Sequence, residues 1–202
     1  MWLYIVQGIG YGFAAAVQPG PFQTYLISQT LTKGWQRTLP AALAPLLSDG
    51  PIIALCLLVL SQVPVWLQRF LYIAGGIFVL YLAYSAYKTW KNFDPSLPST
   101  ETQTQQNVLK AVLINLLSPS PYIFWSLVTG PILLAGWRET PLYGLGFLSG
   151  FYITMVLGSS AIIILFGAAR QMGPRVNRLL LGISAIALFC FGLFQLWKGM
   201  VR

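Results

Sequence analysis

The chain carries a long apolar stretch at residues 2–27, WLYIVQGIGYGFAAAVQPGPFQTYLI. A transmembrane α-helix needs about 20 mostly apolar residues, so this stretch is long enough to cross a bilayer. It also contains Pro19 and Pro21. Each proline removes a backbone N–H that a continuous helix would use. The stretch therefore predicts a membrane-spanning helix that is broken within its own apolar run.

The rest of the chain has the same character. Of its 202 residues, 56% are hydrophobic and only 8% are charged, whereas about a quarter are charged in an ordinary soluble domain. The composition predicts an all-α integral membrane protein with six transmembrane helices. The predicted spans are residues 2–27, 39–60, 65–87, 108–134, 142–168 and 179–197.

The two halves of the chain resemble each other. QPGPF at residues 18–22 recurs as SPSPY at 118–122, and the Gly-Trp pair at 34–35 recurs at 136–137. A polar linker over residues 93–107 separates a first three-helix repeat, residues 1–92, from a second, residues 108–202. Because three crossings place the second half upside down relative to the first, we expect two inverted 3+3 repeats with broken helices 1 and 4.

The basic residues predict the orientation, because cytoplasmic loops carry an excess of lysine and arginine. With both termini outside, eight basic residues fall on the inner side and four on the outer side. The inner eight are Lys33, Arg37, Lys88, Lys91, Lys110, Arg170, Arg175 and Arg178; the outer four are Arg69, Arg138, Lys198 and Arg202. We therefore expect a multi-pass protein with both termini outside.

The two Pro-x-Pro motifs predict a binding site. In continuous helices the carbonyls of Ala15, Val17, Asn115 and Leu117 would lose their donors. Free N–H groups near residues 22–24 and 122–124 would carry the positive end of a helix dipole. Such breaks are tolerated in a membrane where they are buried in protein or face a watery cavity, so spans one and four should meet. The candidate substrate-binding residues are Gln18, Pro19, Gly20, Pro21, Asn115, Ser118, Pro119 and Pro121. The alternative is that both motifs merely kink their helices for packing.

Asp49 is the second singular feature. Of the four acidic residues, Asp94, Glu101 and Glu139 fall in predicted loops, whereas Asp49 lies midway along span two. An ionised Asp there costs about 2.5–3.5 kcal/mol on insertion scales, and such residues commonly mark a substrate or proton path. We therefore predict proton coupling at Asp49. The alternative is a structural carboxyl group that is hydrogen-bonded to the Ser48 hydroxyl or to an N–H of a broken helix.

The sequence lacks the residues that several classes of function require. The chain has no histidine, and its two cysteines stand apart in apolar runs, so we expect no metal site, no cofactor and no enzymatic activity. The basic residues are scattered, which argues against nucleic acid. The expected partners are a small amino acid-like substrate, protons and the lipid bilayer. The sequence does not decide whether the chain forms a homo-oligomer. A divalent metal-cation exporter and a non-transporting scaffold or assembly subunit remain as alternatives.

With these motifs the chain resembles the lysine exporter (LysE/RhtB) family of amino-acid exporters. The likeness is carried by Ala-x-x-Pro-Gly-Pro at residues 16–21, Lys33-Gly34, Asp49, and Asn-Leu-Leu-x-Pro at 115–119. It implies export of amino acids or related metabolites across a bacterial inner membrane in exchange for protons. Where that family usually has Asn-Pro-Lys, this chain has Ser118-Pro119-Ser120, so a role of that lysine does not carry over to it.

Overall fold

The computed structural model describes residues 1–56, 65–93 and 104–201, and this part of the chain consists of helices and short connections, with no strand. Three predicted features extend outside the described residues: the last four residues of span two, most of the polar linker, and Arg202. The helices are α1 Trp2–Val17, α2 Pro21–Lys33, α3 Trp35–Thr38, α4 Ala44–Ala54, α5 Val65–Lys91, α6 Thr104–Leu117, α7 Pro119–Phe124, α8 Gly130–Glu139, α9 Pro141–Arg170 and α10 Pro174–Val201.

Three described helices, α5, α9 and α10, are long and apolar enough to cross a membrane. A fourth segment qualifies if Asn107–Leu117 and Pro119–Glu139, which are bent by 55° at their junction, count as one span. Helix α1 is apolar but shorter, with 16 residues. The described part of the chain is thus all-helical, with three or four candidate spans, and the arrangement of six spans as inverted repeats stays a prediction.

Both predicted helix breaks are present. Helix α1 ends at Val17 and α2 begins at Pro21. Helix α6 ends at Leu117, and α7 begins at Pro119 and continues through a π-helical segment, Trp125–Thr129, into α8. Each helix that follows a break has proline in its first turn, where a missing N–H costs least because that N–H has no helical acceptor.

The long helices pair closely, α1 against α9 and α5 against α10. Glycines allow the first pair to approach: a Cβ atom added to Gly8 would collide with the Phe147 carbonyl oxygen, and one added to Gly12 with that of Phe151. Small residues at such contacts let helix backbones pack tightly where there is no hydrophobic driving force between helices. This pairing fixes α9 beside the first half of the chain.

Two apolar clusters flank the middle of the molecule. One joins α2 to α6 through Phe22, Leu26 and Ile114, so parts of spans one and four do meet, as the sequence predicts. The other gathers Trp125 from the π-helical segment and Phe151 from α9 against α4. Residues of both clusters line a common cavity.

Candidate functional site

A cavity of about 330 Å³ lies between the two broken helices. Its volume is within the usual range of small-molecule sites, about 300–1,000 Å³. The structure brings all of the sequence-predicted site residues to its wall. They are Gln18, Pro19, Gly20, Pro21, Asp49, Asn115, Ser118, Pro119 and Pro121. The two halves of the chain therefore contribute to one space.

Asp49 lies on the cavity wall with only 3% of its surface exposed. The Asn115 side-chain amide donates to Asp49 Oδ1 at 2.7 Å, and the Tyr152 hydroxyl donates to Asp49 Oδ2 at 3.3 Å. These donors come from α6 and α9, whereas Asp49 belongs to α4. The partners considered from the sequence, the Ser48 hydroxyl and a broken-helix N–H, are replaced by two side chains of the second half.

Asn115 holds Asp49 and its neighbour together. Its amide nitrogen also donates to Ser48 Oγ at 2.7 Å, and the Ser48 hydroxyl donates to the Ala44 carbonyl at 3.1 Å. An amide has two N–H groups, so it can serve both acceptors at once. Asn115 is therefore committed to Asp49 and Ser48 through its nitrogen, and its oxygen accepts none of these bonds.

At the first break, a side chain donates hydrogen bonds to carbonyl groups at the end of α1. Gln18 and Gly20 have extended backbone conformations between α1 and α2. From the first turn of α2, the Gln23 amide donates to the Ala15 carbonyl at 3.0 Å and to the Ala16 carbonyl at 3.3 Å. The prediction that the Ala15 carbonyl is left without a donor is therefore wrong, because a side chain replaces the N–H that Pro19 lacks.

The second break is shorter and begins earlier than predicted. Only Ser118 is extended, and α7 starts at Pro119, so Pro121 lies inside its first turn. The Ser118 N–H donates to the Asn115 carbonyl at 3.2 Å, and the Tyr122 hydroxyl donates to the Leu116 carbonyl at 3.0 Å. The Asn115 carbonyl is therefore not an orphan either. With both prolines in the first turn, the free N–H groups begin at Ser120 and not at Tyr122.

One face of α10 also lines the cavity, and the sequence prediction missed it. Phe191, Phe194, Gln195 and Lys198 all reach the wall. Their spacing, i, i+3, i+4 and i+7, is that of one helix face. This spacing is visible in the sequence, but there Lys198 counts only among the charges that predict the topology.

The two polar residues of this face, Gln195 and Lys198, differ in their contacts. Gln195 is buried, with 6% exposed, and its Oε1 atom has no hydrogen-bond partner among the described residues. Lys198 is half-buried, and its Nζ atom lies 4.7 Å from the centre of the Phe194 ring and 5.9 Å from that of Tyr72. The cavity therefore offers an ammonium group besides the Asp49 carboxyl group, whereas the Gln195 oxygen is buried against Gly75 of α5.

The remaining wall is apolar and largely aromatic. Phe124, Trp125, Phe151 and Met155 lie on it, and the Trp125 and Phe151 rings pack edge to face at 5.3 Å between centroids. An apolar wall with a few convergent polar groups is the usual form of a site for a small organic molecule. One carboxyl group and one ammonium group suit a solute that carries both charges.

Comparison with known proteins identifies a family for the chain. The family model described as LysE type translocator matches residues 13–199, nearly the whole chain. No curated protein and no solved structure matches the chain.

Proposed function

The chain belongs to the LysE type translocator family, and from that premise we propose that it exports amino acids or related small metabolites in exchange for protons. A membrane transporter is what the family implies. The site in which we place the substrate is the cavity between the two broken helices. Discontinuous helices that meet at a cavity are the usual construction of a substrate site in secondary transporters.

The observation that carries the proposal is the buried Asp49 carboxyl group on the wall of that cavity. A bare carboxylate in such surroundings is costly, so it is stabilised by a proton or by a cationic group of the substrate. If a proton and a substrate ammonium group compete for Asp49, binding of one releases the other. That competition is a physical basis for exchange of substrate against protons.

The start of α2 is suited to the substrate carboxylate. Gly20 caps the helix, and the N–H groups of Phe22 and Gln23 lie in its first turn beside the cavity. Helix N-termini bind anions because their N–H groups lack helical acceptors and carry the positive end of the dipole. An amino acid can therefore place its carboxylate toward α2 and its ammonium group toward Asp49.

The proposed location is a bacterial inner membrane with both termini outside. In that orientation Lys33, Lys110 and Arg170 lie on the inner side, whereas Lys198 lies on the outer side. Cytoplasmic enrichment in lysine and arginine supports the assignment. The cavity, whose wall includes Lys198 near the end of α10, would then be nearer to the outer face.

Binding of labelled amino acids to the purified protein distinguishes the proposed transport function from a role as a scaffold. We expect one or more of the twenty labelled L-amino acids to bind the wild-type protein. Binding should be lost when Pro19 and Pro21 are both replaced by alanine, because the helix break no longer forms. Pro141→Ala is the matched control, since Pro141 begins α9 away from the cavity. Binding of no amino acid by the wild-type protein would contradict the proposal.

A further inference from the structure

The face of α10 that lines the cavity bears two polar residues one turn apart, Gln195 and Lys198. We propose that Lys198 binds the substrate carboxylate, whereas the substrate ammonium group lies at Asp49. The inference rests on the proposed function and adds a residue to the same site. It predicts that the protein selects solutes that have a free carboxylate.

Lys198 is placed as a binding group and not as a solvated surface charge. A lysine that only marks topology extends its ammonium group into water at the end of its helix. This one is half-buried over the Phe194 and Tyr72 rings on the wall of a cavity. Aromatic faces attract an ammonium group without neutralising its charge, so Lys198 can still bind a carboxylate.

The described acidic side chains have partners elsewhere. Asp49 accepts hydrogen bonds from Asn115 and Tyr152. Glu139, at the end of α8, accepts one from the Tyr4 hydroxyl at 2.6 Å. Neither contact involves Lys198, so among the described residues no acidic side chain competes for its ammonium group with an anion in the cavity.

Gln195, one turn before Lys198, lies outside the proposed contact. Its Oε1 atom is fully buried and lies against α5 at Gly75, where an added Cβ atom would be only 3.2 Å away. A solute in the cavity therefore meets the ammonium group of Lys198 and not this oxygen.

These positions define the class of the ligand. Lys198 and the start of α2, a helix that packs against α10, lie on the same cavity. Both favour a carboxylate, whereas Asp49 favours an ammonium group. The matching solute carries an ammonium group and a carboxylate, as an amino acid does.

Transport in proteoliposomes tests the subsite. The probes are the twenty L-amino acids and, for the one that is transported fastest, its methyl ester and its decarboxylated amine. In the wild-type protein both analogues should have a KM at least about tenfold higher than the acid, because each lacks the carboxylate. In Lys198→Gln the KM of the acid should rise to that of its ester, whereas the KM of the ester should not change.

Two further variants separate binding from folding. Lys198→Arg keeps the charge and should keep the preference for the acid. Arg138→Gln removes a cation that does not line the cavity and should change the KM of neither the acid nor its ester.

The results that overturn the inference are distinct from those that overturn the proposed function. If Lys198→Gln transports the acid and keeps the wild-type ratio between acid and ester, the subsite assignment is wrong and the proposed function stands. If Lys198→Gln does not fold and Lys198→Arg loses the preference for the acid, the assignment is also wrong. A wild-type protein that transports none of the probes overturns both.

Discussion

The two helix breaks share a motif but use their neighbouring polar side chains differently. At the first break Gln23 reaches back to the Ala15 and Ala16 carbonyls, so its amide serves the backbone. At the second break Asn115 lies three residues before Ser118 and donates to Asp49 and Ser48. The first polar residue stabilises a break, whereas the second holds the one buried acid of the described cavity wall. Breaks of similar sequence therefore differ in what their polar side chains contact, and we propose that only the second contributes directly to transport.

The largest effect is expected at Asn115. Asn115→Leu removes the short donor to Asp49 and leaves a buried carboxyl group with one partner fewer, which costs about 1–3 kcal/mol. We expect transport to fall at least about tenfold, together with a lower melting temperature in detergent. Uptake and melting curves of the purified variant measure both. Transport within twofold of wild type would show that Asn115 is no more than another packing residue of α6.

Replacement of Gln23 should affect stability more than transport. Gln23→Leu leaves the Ala15 and Ala16 carbonyls without their donor, so we expect about 1–3 kcal/mol of lost stability with little change in the substrate KM. Chemical or thermal unfolding and transport kinetics separate the two quantities.

A control for Gln23 lies in the same helix. The Gln29 Oε1 atom is buried without a hydrogen-bond partner among the described residues, so Gln29→Leu should be neutral or stabilising. If Gln23→Leu were as harmless as Gln29→Leu, the hydrogen bonds across the first break would contribute nothing.

Loss of the Tyr152 hydroxyl should reduce transport less than loss of the Asn115 amide. Its hydroxyl donates to Asp49 at 3.3 Å, a longer contact than that of Asn115. Tyr152→Phe keeps the ring, which packs against Trp125 and Phe151, and removes only the hydroxyl. We expect transport to fall by a few-fold, about 1 kcal/mol, which initial rates would resolve. A loss larger than that of Asn115→Leu would reverse the order of the two donors.

The smallest effect is expected at Gly20. Gly20→Ser gives the first break the residue that the second break has at position 120. The φ angle of Gly20 is −172°, which other residues also adopt, and an added Cβ atom would meet only Gln23 Oε1, at 3.9 Å. Stability should change by less than about 0.5 kcal/mol. A large loss would mean that the glycine itself sets the difference between the breaks.

Much of this arrangement could be predicted from the sequence. Long apolar runs place α5, α9 and α10 within a few residues of their bounds, because hydropathy alone determines them. The prolines locate both breaks. That the two breaks would meet also followed from the cost of unsatisfied groups in a membrane, whereas the position of Asp49 on the same cavity did not. The six-span inverted repeat remains a prediction, since residues 57–64 lie outside the described part of the chain.

What the sequence did not predict depends on tertiary contacts. Nothing in the neighbouring sequence indicates that the Gln23 side chain reaches back to the Ala15 carbonyl, whereas that of Asn115 reaches Asp49 on another helix. The second half-helix starts at Pro119 because a helix start accepts both prolines in its first turn. The sequence shows Lys198 only as a charge at a helix end, whereas its position on the cavity wall depends on which face of α10 meets the cavity.

The central claim is that Asp49 couples protons to substrate movement. In proteoliposomes with an imposed pH gradient, the wild-type protein should concentrate its amino-acid substrate against a gradient. Glu139→Gln, which removes the other described acidic side chain, at the end of α8, should do so at the wild-type rate. Asp49→Asn should fold, as judged by a monodisperse elution profile, and show no concentration of substrate driven by the pH gradient. Undiminished gradient-driven transport by Asp49→Asn would contradict the account.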